Sequence, residues 1–135
     1  MALLVPNGGE SIALQYLVGK NTTPRNLILR LFKSNTTPAE TDTIGTYTEA
    51  DFTGYSNVTL TGASWTVTGT APTSIGYAEQ TFTSTAGSQS QSVYGYYLTR
   101  VTDADLVYAE RFSDGPYVIV NNGDAIKITP AITCD

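Results

Sequence analysis

Apolar and polar residues alternate along most of this chain with a period of two. In Leu27–Phe32 the leucines at positions 27, 29 and 31 fall on one face and Arg30 falls on the other, which is the pattern of a strand with one buried side. Further short runs rich in Thr, Val, Ile and Tyr are separated by clusters of Gly, Pro, Asn and Asp. They predict seven more strands, at 43–48, 57–60, 64–68, 75–84, 92–100, 106–112 and 125–133.

One segment near the N-terminus departs from this period. Between Glu10 and Val18 the apolar residues recur four and five positions apart, and Gly19 follows them. This spacing predicts a short helix that ends at Gly19, because glycine readily adopts the left-handed conformation that closes helices. A buried strand is the alternative, since periodicity alone does not distinguish the two in so short an apolar run.

Short strands at regular spacing indicate an all-β fold. In a chain of 135 residues they predict a two-sheet antiparallel sandwich, jelly-roll-like, with one short N-terminal helix. A parallel sheet is disfavoured because its connections need crossover helices. We expect an N-terminal arm at 1–9 and a single β-sandwich domain at 10–135, since a chain of this length normally forms one domain.

Three features of the connecting segments refine this prediction. Residues 33–42 have no apolar period and concentrate turn formers, which predicts an exposed loop. The sequence NNGD at 121–124 predicts a tight turn before the last strand, because Asn and Gly tolerate positive φ. Pro130 places that strand at a sheet edge or at a bend, since proline has no backbone N–H to donate.

The composition excludes several kinds of chemistry. The chain has no histidine and one cysteine, which excludes imidazole-based catalysis, most zinc sites and a disulfide framework. Three carboxylate pairs remain, and no apolar pocket near them is expected to raise the pKa of one member. These pairs are Glu40/Asp42, Glu49/Asp51 and Asp103/Asp105, which we interpret as solvated acids. We therefore predict a protein that is not an enzyme and holds no cofactor and no metal; calcium at Asp103 and Asp105 is the weaker alternative.

Charge and hydropathy also narrow the range of partners. The formal net charge of -5 repels polyanions, so we expect no nucleic-acid partner. No run approaches the roughly 20 apolar residues of a membrane span, and the apolar run at 2–5 is too short for a signal peptide, so we expect no membrane partner. Only 14% of the residues are charged, which favours a surface that packs against other subunits.

Tyrosine is the one aromatic residue that is abundant, with nine copies. Three of them, Tyr94, Tyr96 and Tyr97, share one predicted strand, with Tyr94 and Tyr96 on one face and Tyr97 on the other. We favour core packing for these rings, together with Trp65 and Phe82. The alternative is a sugar-binding platform formed by exposed rings.

Several segments, taken in their order along the chain, resemble a known family. They are LVPNGGE (4–10), NLILRLF (26–32), TTPAETD (36–42), LTGASW (60–65), YGYY (94–97), AERF (109–112) and NGDAIKITP (122–130). The chain resembles small β-rich virion proteins encoded by tailed bacteriophages over nearly its whole length. It also resembles the cement or decoration proteins that sit as trimers on phage capsids.

The resemblance implies a structural function in the virion. It implies a capsid cement protein, made in the host cytoplasm, that binds the major capsid protein, forms a homo-oligomer, expected to be a trimer, and bridges capsomers on the outer capsid surface. We expect the N-terminal arm and the loop at 35–42 to contact the capsid protein or a neighbouring protomer, because the apolar residues of the arm lie outside the sandwich pattern. The candidate interface residues are Leu3, Leu4, Val5, Pro6, Asn35, Thr36, Thr37, Pro38, Glu40 and Asp42.

Two alternatives stay open. An N-terminal strand that completes its own sheet would account for the arm without any partner. A tail-associated receptor- or carbohydrate-binding module would use the tyrosine-rich strand at 94–97 as its platform.

Overall fold

In a computed structural model, which describes residues 4–21, 26–68, 73–101 and 105–134, the chain is mostly β-structure. Helix α1 (Asn7–Leu17) comes first, and the other elements are short strands and two 3-10 helices, Ile44–Thr46 and Gly62–Ser64. Within these residues the strands are β1 (Leu27–Phe32), β2 (Val58–Leu60), β3 (Thr66–Thr68), β4 (Thr73–Gly76), β5 (Gln80–Thr83), β6 (Gln91–Val93), β7 (Gly95–Arg100), β8 (Leu106–Arg111), β9 (Tyr117–Ile119), β10 (Ala125–Ile128) and β11 (Ala131–Cys134).

The strands form antiparallel sheets. The largest sheet has the order β2-β1-β7-β8, and β11-β4-β3, β10-β5 and β6-β9 form smaller sheets. Every strand pair is antiparallel. The predicted all-β antiparallel sandwich with one short N-terminal helix is confirmed, with its layers divided into smaller sheets than the sequence suggests.

The main core lies between the four-stranded sheet and the smaller sheets. Leu29 and Leu31 of β1 are fully buried in it, as the alternation in that strand predicts. Side chains from the other sheets complete the cluster. They are Phe82 of β5, Val93 of β6, Ile119 of β9, and Ile126 and Ile128 of β10.

The four-stranded sheet is covered on its other face as well. Phe32, Tyr47 and Tyr97 form a second buried cluster there, and all six residues of β7 are buried. The face of β1 that carries Arg30, predicted to be the wetter one, is therefore half-buried and shielded by the segment around Tyr47.

Three predicted strands are each divided between two sheets. The stretch 92–100 is divided at Tyr94 into β6 and β7. The stretch 75–84 leaves one sheet after Gly76 and enters another at Gln80, and 125–133 does the same around Pro130. The backbone N–H of Tyr77 donates to the Pro130 carbonyl at 2.8 Å. The two connecting segments therefore pass from one sheet to the other side by side. The prediction that Pro130 marks a bend is confirmed.

Two further expectations about strands are wrong. Residues 43–48 contain a 3-10 helix, Ile44–Thr46, because the Thr43 backbone N–H donates to the Thr46 hydroxyl at 3.1 Å and turns the chain back on itself. The sequence pattern predicts no strand at 117–119, where the structure has β9. The turn formers of the preceding SDGP segment at 113–116 obscure this short apolar run. The tight turn at 121–124 is confirmed, with Gly123 at φ +93°.

The predicted helix is present, but it begins earlier in the sequence than predicted. Helix α1 begins at Asn7 rather than at Glu10, so residues 7–9 form its first turn instead of the end of an extended arm. Gly9 makes this possible, because a Cβ there would overlap the Val107 carbonyl of β8 and contact Val5 at 2.9 Å. Among the described residues no helix has the length and apolar character needed to cross a membrane.

Candidate interaction surface

The described part of the N-terminal arm is attached to the four-stranded sheet. Leu4 pairs antiparallel with Ala109 at the outer edge of β8, and the Ala109 N–H donates to the Leu4 carbonyl at 3.3 Å. Val5 packs against the main core and Pro6 is fully buried. Leu3 lies outside the described residues. Leu4 therefore extends the sheet by one bridge, as in the alternative in which the N-terminal strand completes its own sheet, and residues 4–6 belong to the fold.

The start of the predicted 35–42 loop is held by one arginine. Arg111, at the end of β8, donates from Nη2 to the Asn35 side-chain oxygen at 2.7 Å and from Nη1 to the Thr36 carbonyl at 2.9 Å. Its guanidinium also lies over the Tyr94 ring, 5.0 Å from the ring centroid. Asn35 and Thr37 remain exposed beside these contacts.

The far end of the loop is closed by Asp42. Its Oδ2 accepts hydrogen bonds from the Tyr47 hydroxyl at 2.6 Å and from the Ala39 backbone N–H at 2.8 Å. Burial, and then the Asp42 carboxylate, raise the pKa of Tyr47 far above its usual value. Pro38 is half-buried between the two anchored ends, so the loop leaves the sheet and returns to it as a fixed turn.

The start of α1 and the far end of the 35–42 loop meet, although most of α1 and the whole of β1 lie between them in the sequence. The backbone N–H of Asn7 donates to the Glu40 carbonyl at 3.0 Å. A cleft of about 510 Å³ lies at this junction. Its lining residues are Asn7, Gly8, Glu40, Thr41, Asp42, Thr43, Ile44, Asp105 and Leu106. Three carboxylate residues, Glu40, Asp42 and Asp105, therefore border this open cleft.

The carboxylate pairs from the sequence occupy different environments. Glu49 is not a solvated acid: its Oε2 accepts from Arg30 at 2.6 Å, and its Oε1 accepts from Tyr55 at 2.8 Å and from Asn57 at 3.1 Å. Its neighbour Asp51 is the exposed member of that pair. Glu49 thus ties the chain after the loop to β1, because both of its oxygens are occupied by partners distant in sequence.

No metal-binding arrangement is found in the described part of the chain. Within 4–21, 26–68, 73–101 and 105–134, no three His, Cys, Asp or Glu side chains come together as potential metal ligands. Asp103, half of the weaker calcium candidate, lies outside these residues.

The tyrosine-rich strand is part of the interior. Tyr96 and Tyr97 are only 5% and 2% exposed. Tyr96 packs on Tyr108 at 5.9 Å between ring centroids, and Tyr97 stacks on Tyr47 at 5.2 Å. The prediction of core packing is confirmed for these two rings. The prediction that Tyr94 and Tyr96 share one face is wrong. The strand is interrupted at Tyr94, between β6 and β7, and Tyr94 packs against the second buried cluster, which contains Tyr97.

Sequence reasoning missed a second surface feature, the apolar character of α1 on both sides. Towards the sheets, Ile12 and Tyr16 border an apolar groove of about 550 Å³ that also includes Trp65 and Ile132. Towards solvent, Leu14 and Leu17 are 61% and 81% exposed. The signal was present in the sequence as apolar residues on more than one helical face.

Comparisons of this chain with protein-family models, with curated proteins and with solved structures find no match.

Proposed function

We propose that this protein is a structural protein of a tailed-bacteriophage virion, acting as a cement or decoration protein on the outer surface of the capsid. Its partner is the major capsid protein. It acts by binding: it bridges neighbouring capsomers and stabilises the shell. The family resemblance supports a homo-oligomer, a trimer, as the binding unit. The protein is made in the host cytoplasm and functions on the particle.

The observation that carries this proposal is the junction of the two predicted contact segments. The end of the arm, at the start of α1, and the loop at 35–42 are joined by the hydrogen bond from Asn7 to Glu40. Asn7 and Glu40 are exposed at this junction, and Asn35 and Thr37 are exposed further along the loop. Two distant stretches of sequence therefore bring exposed polar residues together.

The anchoring of this surface supports a binding function. Arg111 and Asp42 hold the two ends of the loop, so little conformational freedom is lost when a partner binds. A rigid body that carries three copies of the same modest contact attaches strongly, because each later contact forms at high effective concentration. A clamp on a symmetric shell needs these two properties.

The charge of the surface indicates the kind of partner surface it fits. Glu40, Asp42 and Asp105 border the cleft, and the chain as a whole is acidic. Complementarity then favours a capsid surface with basic groups or hydrogen-bond donors at the contact. Reversal of one exposed charge at this place is expected to weaken the contact.

The test mixes purified protein with capsids that lack it and measures bound protein after the particles are sedimented. Because Leu4 and Pro6 belong to the fold, point substitutions are cleaner than deletion of the arm. We expect Glu40→Arg to weaken binding about 10-fold or more, since three equivalent contacts are affected in each trimer. Glu79→Arg, the same change at an exposed site between β4 and β5, is the matched control and is expected to bind as the wild type does.

Equal binding by Glu40→Arg and the wild type would contradict the proposed surface. Absence of capsid binding by the wild type would contradict the proposed function itself. In that event the tail-associated alternative is tested by a glycan screen, although the burial of Tyr96 and Tyr97 removes the platform on which that alternative was based.

A further inference from the structure

The outward face of α1 carries an apolar stripe with a charge at each end. Leu14, Leu17 and Val18 lie three and four residues apart and are 61%, 81% and 74% exposed. Glu10 falls on the same side, because it precedes Leu14 by one helical turn. Glu10, Leu14, Val18 and Lys20 together border one shallow hollow along the helix.

The opposite face of α1 is already occupied. Gly9 is buried against β8, and Ile12 is half-buried beside it. A surface helix normally presents polar residues to solvent opposite its packed face. Apolar residues on both faces of α1 therefore indicate a helix that is covered on both faces when the protein functions.

We propose that the outward face of α1 is a two-fold contact between two copies of this chain, with their α1 helices packed antiparallel. Glu10 lies in the first turn of α1, and Lys20 lies just past the C-terminal end of the helix, after Gly19 at φ +70°. Both residues border the same hollow, so an antiparallel pair of helices brings Glu10 of each copy near Lys20 of the other. The apolar stripe lies between these two ion pairs, and the antiparallel helix dipoles also attract each other.

The size of the stripe predicts a weak contact. Helix α1 has 11 residues and is about 16 Å long at 1.5 Å per residue. Two such faces bury less than the roughly 800 Å² per partner of a standard stable complex. We therefore expect a dissociation constant of about 0.1 mM in solution, which is typical of transient contacts. This contact does not depend on capsid binding, since it is measured on purified protein alone, and its dependence on Leu17 distinguishes it from the proposed trimer.

Sedimentation equilibrium at protein concentrations up to about 1 mM tests the proposal. The wild type is expected to self-associate through a two-fold contact. Leu17→Asn removes an exposed apolar side chain without disturbing the core and is expected to raise the dissociation constant about 10-fold or more. Val67→Asn, at a comparably exposed valine on β3, is the matched control and is expected to change it by less than about 2-fold.

A charge exchange tests the antiparallel arrangement itself. Glu10→Lys places like charges together at both ends of the contact and is expected to raise the dissociation constant about 5-fold. Addition of Lys20→Glu is expected to return it to within about 2-fold of the wild-type value. The rescue does not come from the helix dipole, because Lys at position 10 is unfavourable to the dipole in both variants.

Three results would overturn the proposal. They are absence of self-association at the highest concentration, self-association that Leu17→Asn leaves unchanged, and failure of the double charge exchange to restore the affinity of Glu10→Lys. Loss of capsid binding with intact self-association would contradict the proposed function alone, so the two inferences fail separately.

Discussion

Glu49 and Asp51 are two carboxylates in one short segment that differ in solvent exposure and in their ion-pair partners. The Glu49 side chain is 29% exposed and pairs with Arg30, itself 17% exposed, while Asp51 is 67% exposed and pairs with Lys33. Hydrogen bonding to Lys33 lowers the pKa of Asp51 below its ordinary value. Water screens the Lys33–Asp51 pair more strongly than the less exposed Arg30–Glu49 pair, so the two ion pairs contribute unequally to stability.

We therefore expect Glu49→Ala to destabilise the fold by about 3 kcal/mol, because it leaves a half-buried guanidinium and the Tyr55 hydroxyl without their acceptor. Asp51→Ala, the matched control two residues away, is expected to cost about 0.5 kcal/mol. Denaturant unfolding of the two variants measures the difference. Equal losses would show that Glu49 is as solvated as the sequence suggested.

Gly9 sets how closely α1 approaches β8. A Cβ at this position overlaps the Val107 carbonyl, which is backbone and does not move aside easily. We expect Gly9→Ala to destabilise the protein by about 2 kcal/mol and to speed amide exchange in α1. Gly45→Ala is the control, because the nearest atom to a Cβ at Gly45 is 3.7 Å away. A Gly9→Ala variant as stable as Gly45→Ala would contradict the described helix packing.

At the scale of elements, the 35–42 loop is an anchored turn whose order depends on β8. Arg111 supplies two of its hydrogen bonds, to Asn35 and to Thr36. We expect Arg111→Ala to speed amide exchange in the loop. We also expect it to weaken capsid binding about 10-fold, since a mobile loop loses conformational entropy when it binds. Lys127→Ala, which removes an exposed cation from β10, is the control and is expected to leave both quantities unchanged.

Binding that survives Arg111→Ala while loop exchange rises would contradict a role for loop order in the contact. If neither quantity changes, the anchoring itself is contradicted. Unfolding curves for both variants confirm that the fold is intact before binding is compared.

The elements that the sequence predicts well are those fixed by neighbouring residues. Strand β1 follows from its leucine alternation, and the turn at 121–124 follows from the positive φ of Gly123. Helix α1 was recognised by its spacing, although its start depends on Gly9 meeting β8. Bends such as the one at Pro130 were only partly foreseeable, because sheet membership depends on distant partners.

The same distinction holds for the candidate surface. Its two segments were found from the sequence, as an apolar arm outside the strand pattern and as a loop of turn formers. Their junction was not, because the bond between Asn7 and Glu40 requires α1 to pack on β8. The partners of Glu49 were missed for the same reason, since they come from β1 and from residues 55–57.

At the scale of the whole molecule, the buried tyrosines make stability depend on alkaline pH. Burial raises the pKa of Tyr97 from 10.0 to about 12, and burial also raises the pKa of Tyr96 and Tyr108. The folded state therefore holds these protons more tightly than the unfolded chain does. This contribution to stability is complete below pH 10 and is lost as the pH rises through the folded pKa.

We expect the free energy of unfolding to fall between about pH 10 and about pH 12, together with the rise of tyrosinate absorbance. Tyr97→Phe removes one of the titrating groups, so its free energy of unfolding is expected to decline less over this range than that of the wild type. Denaturant unfolding at several alkaline pH values measures the slope. An unchanged slope in Tyr97→Phe would contradict the burial of this hydroxyl.

We propose that the surface formed by the start of α1 and the 35–42 loop attaches many copies of this protein to a symmetric shell. The most direct measurement is the number of copies bound per particle when capsids that lack the protein are saturated with it. We expect saturation at a number commensurate with the icosahedral sites of the shell, and loss of that saturation in Glu40→Arg. Saturation at a handful of copies per particle, or no binding, would contradict it.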